Sequence, residues 1–281
     1  MAEITPVEFG HCRELVMVPG SLFEFTSRYV TDDQLEALLA LYALKQTIST
    51  IPYSAVDDSV KWAKLKWWSE EVIADPGSSS RHPVLRALWL SGARAKLGNV
   101  LLLRLIGDAI QQIDVVPESN EEAMFERLSE LGSTDIELEL ALDAAEIDAQ
   151  SLGFLGAATC LFSIVSSFSV NNKPEITRLP LKILAKYNVS AAELEQKPYA
   201  RTLKKMIAEL AGTAMGWYSS GMSGLKDSPG TVGCEHLHLR WAMENRRLSA
   251  ILKDSSGFLD AGKRFGPSDA WFAWRFLRQL K

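Results

Sequence analysis

Residues 151–170 read SLGFLGAATCLFSIVSSFSV, twenty positions without a charged side chain in a protein where Asp, Glu, Lys and Arg make up 23% of residues. Such a run is long enough to cross a bilayer. Five serines, one threonine and two glycines break up its apolar surface, however, and they suit close packing between helices better than contact with lipid. The stretch predicts a central helix buried in a large helical body, because only burial on all sides tolerates an uncharged surface in water. Upstream lies DIELELALDAAEIDAQ, where Thr134 and Glu137 have the spacing of a capping box and predict a helix start. Glu139, Asp143 and Glu146 then fall at i, i+4 and i+7, a stripe expected to be a solvated helix face.

Working outward, Asp32-Asp33 leads into QLEALLALYALKQTIS, whose Leu35, Leu38, Leu39, Tyr42 and Ala43 recur at helical spacing. Pro52 interrupts that pattern. Asp57-Asp58 is positioned to cap the next helix, SVKWAKLKWWSEEVIA, in which Trp67 and Trp68 are expected as core or interface anchors. The loop DPGSSSRHP follows, and Pro83 opens VLRALWLSGARAKL. NVLLLRLIGDAIQQI and EEAMFERLSEL give two more helices. Beyond residue 180 come LKILAKYNV, a polar connection AAELEQKPYAR, the long helix TLKKMIAELAGTAMGWYSSGMSGL, a loop LKDSPGTVG and the helix HLHLRWAMENRRLSAILKD. In the last segment, GPSDAWFAWRFLRQL, the residues Trp271, Trp274, Phe276 and Leu277 are expected to dock on the body of the fold.

An apolar fraction of 47% over 281 residues is ample for a core, and short linkers favour one all-α domain with residues 1–20 as an N-terminal extension. A net charge of −5 without a Lys/Arg-rich run argues against a nucleic-acid surface, since phosphate binding needs clustered cations. Cys12, Cys160 and Cys234 are distant and odd in number, and no secretory leader is read at MAEITPVEFG, so a cytoplasmic, reduced protein is expected. Cys160 is expected to be a small buried hydrophobe. Of His11, His82, His236 and His238, the last two are two apart and point to different helix faces, so no metal site is read there.

Four blocks in order resemble the squalene/phytoene synthase family: FEFTSRYVTDDQLEALLALYAL, KLKWWSEEV with RHPVLRAL, LGFLGAATCLFSIVSSF with TRLPLKILAKYNVSAAEL, and GPSDAWFAWRFL. The resemblance implies a helical bundle of the isoprenoid synthase type. It also implies two Asp-rich motifs, because ionising an allylic diphosphate needs magnesium held by carboxylates to take up the developing charge. This chain departs there. Tyr53 stands at the family's usual aspartate in the first motif, and the polar ligand positions of the second fall among Ser163, Ser166, Ser167 and Asn171. Arg28 and Tyr29 match the N-terminal block and are the weak substrate-binding candidates, Arg28 being able to meet an anion.

A branch of the family that includes a mitochondrial complex I assembly factor similarly keeps the fold while losing these acids. The sequence is therefore read as a non-catalytic member acting as an assembly or interaction factor, with no catalytic residue, no metal ligand and no cofactor. Its partner is expected to be a protein, with an isoprenoid or lipid ligand and peripheral contact at the inner face of a membrane as further expectations. The alternatives are a head-to-head prenyltransferase, which would require Mg2+, and an isoprenoid-binding protein.

Overall fold

The computed structural model describes residues 7–74, 80–113, 118–168, 179–189, 201–225, 234–255 and 265–280. Among them no strand occurs, and the chain is all-α as expected. Its helices are α1 (Val7–Val16), α2 (Leu22–Thr26), α3 (Asp32–Ser49), α4 (Asp58–Ala74), α5 (Pro83–Leu90), α6 (Ala93–Gln111), α7 (Glu121–Leu142), α8 (Ala149–Ser167), α9 (Leu181–Lys186), α10 (Arg201–Leu225), α11 (Glu235–Lys253) and α12 (Pro267–Leu280). Contacts divide the chain into two compact units, residues 1–114 with 137–146 and 232–237, and residues 115–136 with 147–231 and 238–281. The sequence-predicted connection at 190–200 and loop at 226–233 lie outside the described residues.

In the first unit α3 is the organising helix. Asp32 and Asp33 sit in its first turn, where the helix dipole favours them, and Leu38, Leu39, Leu41, Leu44 and Ile48 are buried against α1, α5 and α6. The helix stops at Ser49, and Thr50 turns its hydroxyl back to the Gln46 carbonyl at 2.9 Å before Pro52 rules out another turn. The segment read as an N-terminal extension contributes α1, with Phe9 and Cys12 buried. Pro83 occupies the first turn of α5, and His82 caps it by accepting the Val84 N–H on Nδ1 at 3.3 Å. Gly92, at φ 71°, takes the left-handed turn that separates α5 from α6, so the segment VLRALWLSGARAKL is split between two helices.

In the second unit α8 is the buried centre. Asp148 accepts the Ser151 N–H at 2.8 Å to start it, and twelve of its nineteen residues are buried, including Leu155, Leu161, Ile164 and Val165. It is long and apolar enough to cross a membrane, but its packing is that of a core helix lying along α10.

The expected capping box at Thr134 is overturned. The helix α7 runs unbroken from Glu121 to Leu142, and the Thr134 hydroxyl reaches the Glu130 carbonyl one turn back, at 3.5 Å. The glycine before it explains why no break is needed. A Cβ on Gly132 would lie 2.1 Å from the Gly156 carbonyl oxygen, so α7 and α8 meet backbone to backbone at this pair, and the packing overrides the local end signal.

The last helix also departs from expectation. Ala273 is buried and Phe276 and Leu277 are half-buried, but Trp271 and Trp274 are 59% and 51% exposed rather than docked.

Candidate functional site

Tyr53 lies in the first unit, and Ser163, Ser166 and Ser167 lie on α8 in the second. Tyr53 follows the end of α3 in a turn closed by its N–H on the Thr50 carbonyl at 3.2 Å. The ring is 41% exposed and its hydroxyl meets Gln112 Oε1 at 3.4 Å, so it does not fill the core. The cause is Pro52, which ends helical direction before Tyr53 could be carried onto the buried face of α3. On α8 the Ser163 hydroxyl donates to the Thr159 carbonyl at 3.1 Å and that of Ser167 to the Ile164 carbonyl at 2.7 Å, local bonds of the kind serine makes inside helices. Ser166 is half-buried, and Asn171 lies outside the described residues. Asp58 opens α4 and pairs with Lys61 at 2.8 Å.

Arg28 pairs with Glu24 one turn earlier, its side chain 63% exposed. That pairing draws the Glu24 carboxyl below its usual range. Tyr29 is half-buried against Phe25, ring centres 5.7 Å apart, and burial raises its phenol.

The acids the sequence assigned to a solvated stripe behave differently. Glu139 is 3% exposed. Its Oε1 accepts from Lys45 Nζ at 2.9 Å and from the Tyr42 hydroxyl at 3.0 Å, while its Oε2 lies 3.6 Å from His236 Nδ1. The other ring nitrogen of His236 is 3.1 Å from the Thr26 hydroxyl, which itself donates to the Leu22 carbonyl at 3.0 Å. Phe23 stacks on Tyr42 at 4.1 Å and closes one side of this buried polar cluster.

Beside the cluster a cavity of about 170 Å³ is lined by Asp33, Gln34, Ser91, Lys96, Asp143 and His236. Lys96 donates to the Leu142 carbonyl at 2.7 Å, covering the C-terminal end of α7. Burial raises the Asp143 carboxyl against the opposing pull of Gln34 and Lys96. Only Glu146 of the stripe is exposed. The sequence did carry a signal here: Lys45 lies on the same buried face as Leu38, Leu41 and Leu44, and a lysine there requires an acid.

The second unit repeats the arrangement. Glu244 is 3% exposed and is met by the Tyr218 hydroxyl, by Thr159 Oγ1 at 3.2 Å and by Arg240 Nε at 3.6 Å. Arg240 reaches Asp135 as well, at 3.5 Å. Among the described residues the two fully buried acids, Glu139 and Glu244, are thus each met by a cation. Among the described residues no cluster of three or more His, Cys, Asp or Glu could hold a metal ion. Burial pushes the thiols of Cys12, Cys160 and Cys234 up to about 11, 12 and 12; Cys160 is half-buried rather than sealed in the core.

Residues 19–244 match the squalene/phytoene synthase family model. The chain belongs to the squalene/phytoene synthase family. No curated protein matches it. Among solved structures it is similar to a dehydrosqualene synthase crystallised with ligand, at a TM-score of 0.71 and 14% identity over 98% of this chain and 96% of that one. It is also similar to squalene synthase HpnC from Alicyclobacillus acidocaldarius, at a TM-score of 0.62 and 18% identity over 89% of this chain and 96% of that one. At such identities the likeness is one of fold. At the positions where the resemblance implies magnesium ligands the chain holds a phenol at 53 and hydroxyls at 163, 166 and 167, neutral groups that are poor ligands for a hard divalent ion.

Proposed function

We propose that this chain is a family member without metal-dependent ionisation of prenyl diphosphates, and that it works as an assembly or interaction protein. One observation carries the reading. Where the family resemblance puts carboxylates, Tyr53, Ser163 and Ser167 are neutral and bonded to groups of their own unit, while the buried acids Glu139 and Glu244 are each met by a cation.

A role in binding is supported by apolar surface in the first unit. Val60 and Trp67 are exposed, and with Ile51, Ala63 and Trp68 they line a groove of about 570 Å³. Contiguous apolar surface of this kind marks interaction sites. Assembly of a respiratory complex is the specific role suggested by the resemblance to the complex I branch, through the acid-poor helix that is now α8.

Calorimetric titration with farnesyl thiodiphosphate, an analogue that resists ionisation, tests the loss of metal dependence. The affinity is expected to be the same in magnesium and in EDTA. A gain of tenfold or more with magnesium, about 1.4 kcal/mol, would contradict the reading.

A further inference from the structure

The outward face of α12 is unlike an ordinary solvated helix surface. Trp271, Trp274, Arg275 and Arg278 fall at i, i+3, i+4 and i+7, which makes them one stripe, and all four are exposed. Each arginine lies over an indole, Arg275 over Trp271 at 5.5 Å and Arg278 over Trp274 at 4.7 Å. The helix has a different set of residues for its own packing: Ala273 buried, with Phe272, Phe276 and Leu277 half-buried. The stripe is therefore surplus to the needs of the fold, and it leaves two of the largest apolar side chains in water.

We propose that this stripe docks the protein on an anionic bilayer surface. Charge complementarity selects that occupant. The stripe carries two arginines in a protein of net charge −5, and the one acid of α12, Asp269, is taken up by Arg246 at 2.9 Å and by the Gly266 N–H at 2.9 Å at the other end of the helix. Tryptophan is the residue suited to the headgroup level, its indole body apolar and its N–H polar, and a guanidinium held over an indole face keeps N–H groups at its edge for lipid phosphates. At 14 residues α12 is about 21 Å long, too short to span, so it lies in the plane of the interface. The inference does not depend on whether the protein is catalytic.

Co-sedimentation with vesicles tests it. Wild-type protein is expected to pellet with vesicles of phosphatidylcholine and phosphatidylserine, and to release as salt is raised. Trp271→Ser with Trp274→Ser should abolish pelleting. Arg275→Gln with Arg278→Gln should weaken it by roughly tenfold or more, as expected for two basic residues at an anionic surface. Melting curves of both variants separate loss of docking from loss of fold, and since the four side chains are exposed the curves should match wild type. If wild-type protein stays in solution, or if the tryptophan variant pellets as well as wild type, the proposal fails, even should the stripe then prove to hold a protein.

Discussion

Lys45 and Glu139 form an ion pair at 2.9 Å with their side chains only 11% and 2% exposed. Tyr42 shares the same carboxylate oxygen, so both charges are desolvated together and each depends on the other. Lys45→Met should destabilise the protein by about 3–5 kcal/mol, because it strands a buried carboxylate. Adding Glu139→Gln to that variant should recover part of the loss. Urea unfolding of the two single variants and the double variant measures the coupling.

His82 makes stability depend on pH. Its Nδ1 must be free of a proton to accept the Val84 N–H, and burial, followed by the charges of His11 and Arg86, holds its pKa below the ordinary value of about 6.5. A depressed histidine contributes stability that is complete above the unfolded value and is lost as pH falls through the folded one. Unfolding free energy should therefore decline as pH drops from about 6.5, and His82→Asn, which keeps a capping acceptor without titrating, should flatten that decline.

The crossing of α7 and α8 leaves no room for a methyl group. Gly132→Ala should cost more than about 3 kcal/mol or prevent folding, beyond the usual overpacking range, since its Cβ would meet backbone that cannot rotate away. Gly216→Ala is the control. Gly216 is exposed within α10 with nothing near its Cβ position, so alanine there should be neutral or stabilise by up to about 1 kcal/mol. Thermal melts of the two variants make the comparison.

Tyr53→Ala should cost less than about 1 kcal/mol, the behaviour of a surface substitution rather than of a core truncation. Chemical denaturation distinguishes the two.

What was legible in the sequence follows a physical line. The uncharged run at 151–170, the apolar spacing in α3 and Pro83 at the start of α5 are local or periodic signals, and those elements form where they were expected. The continuity of α7 was hidden, because a Thr–Glu spacing that suits a helix start is overruled by Gly132 meeting Gly156, a contact made only in three dimensions. The burial of Glu139 was hidden for a similar reason. Its partner Lys45 is 94 residues away, and a stripe of acids reads as solvated until that partner is in place. In α12 the apolar residues surround most of the helix, so periodicity could not say which side packs and which tryptophans stay outside. That Tyr53, Ser163 and Ser167 are neutral was visible at once, being a matter of residue type rather than of geometry.

A family member that has lost magnesium-dependent ionisation leaves prenyl diphosphates intact. When purified protein is incubated with farnesyl diphosphate and magnesium and released pyrophosphate is followed over time, release should be no faster than in buffer alone. Turnover proportional to protein concentration, abolished by EDTA, would contradict it.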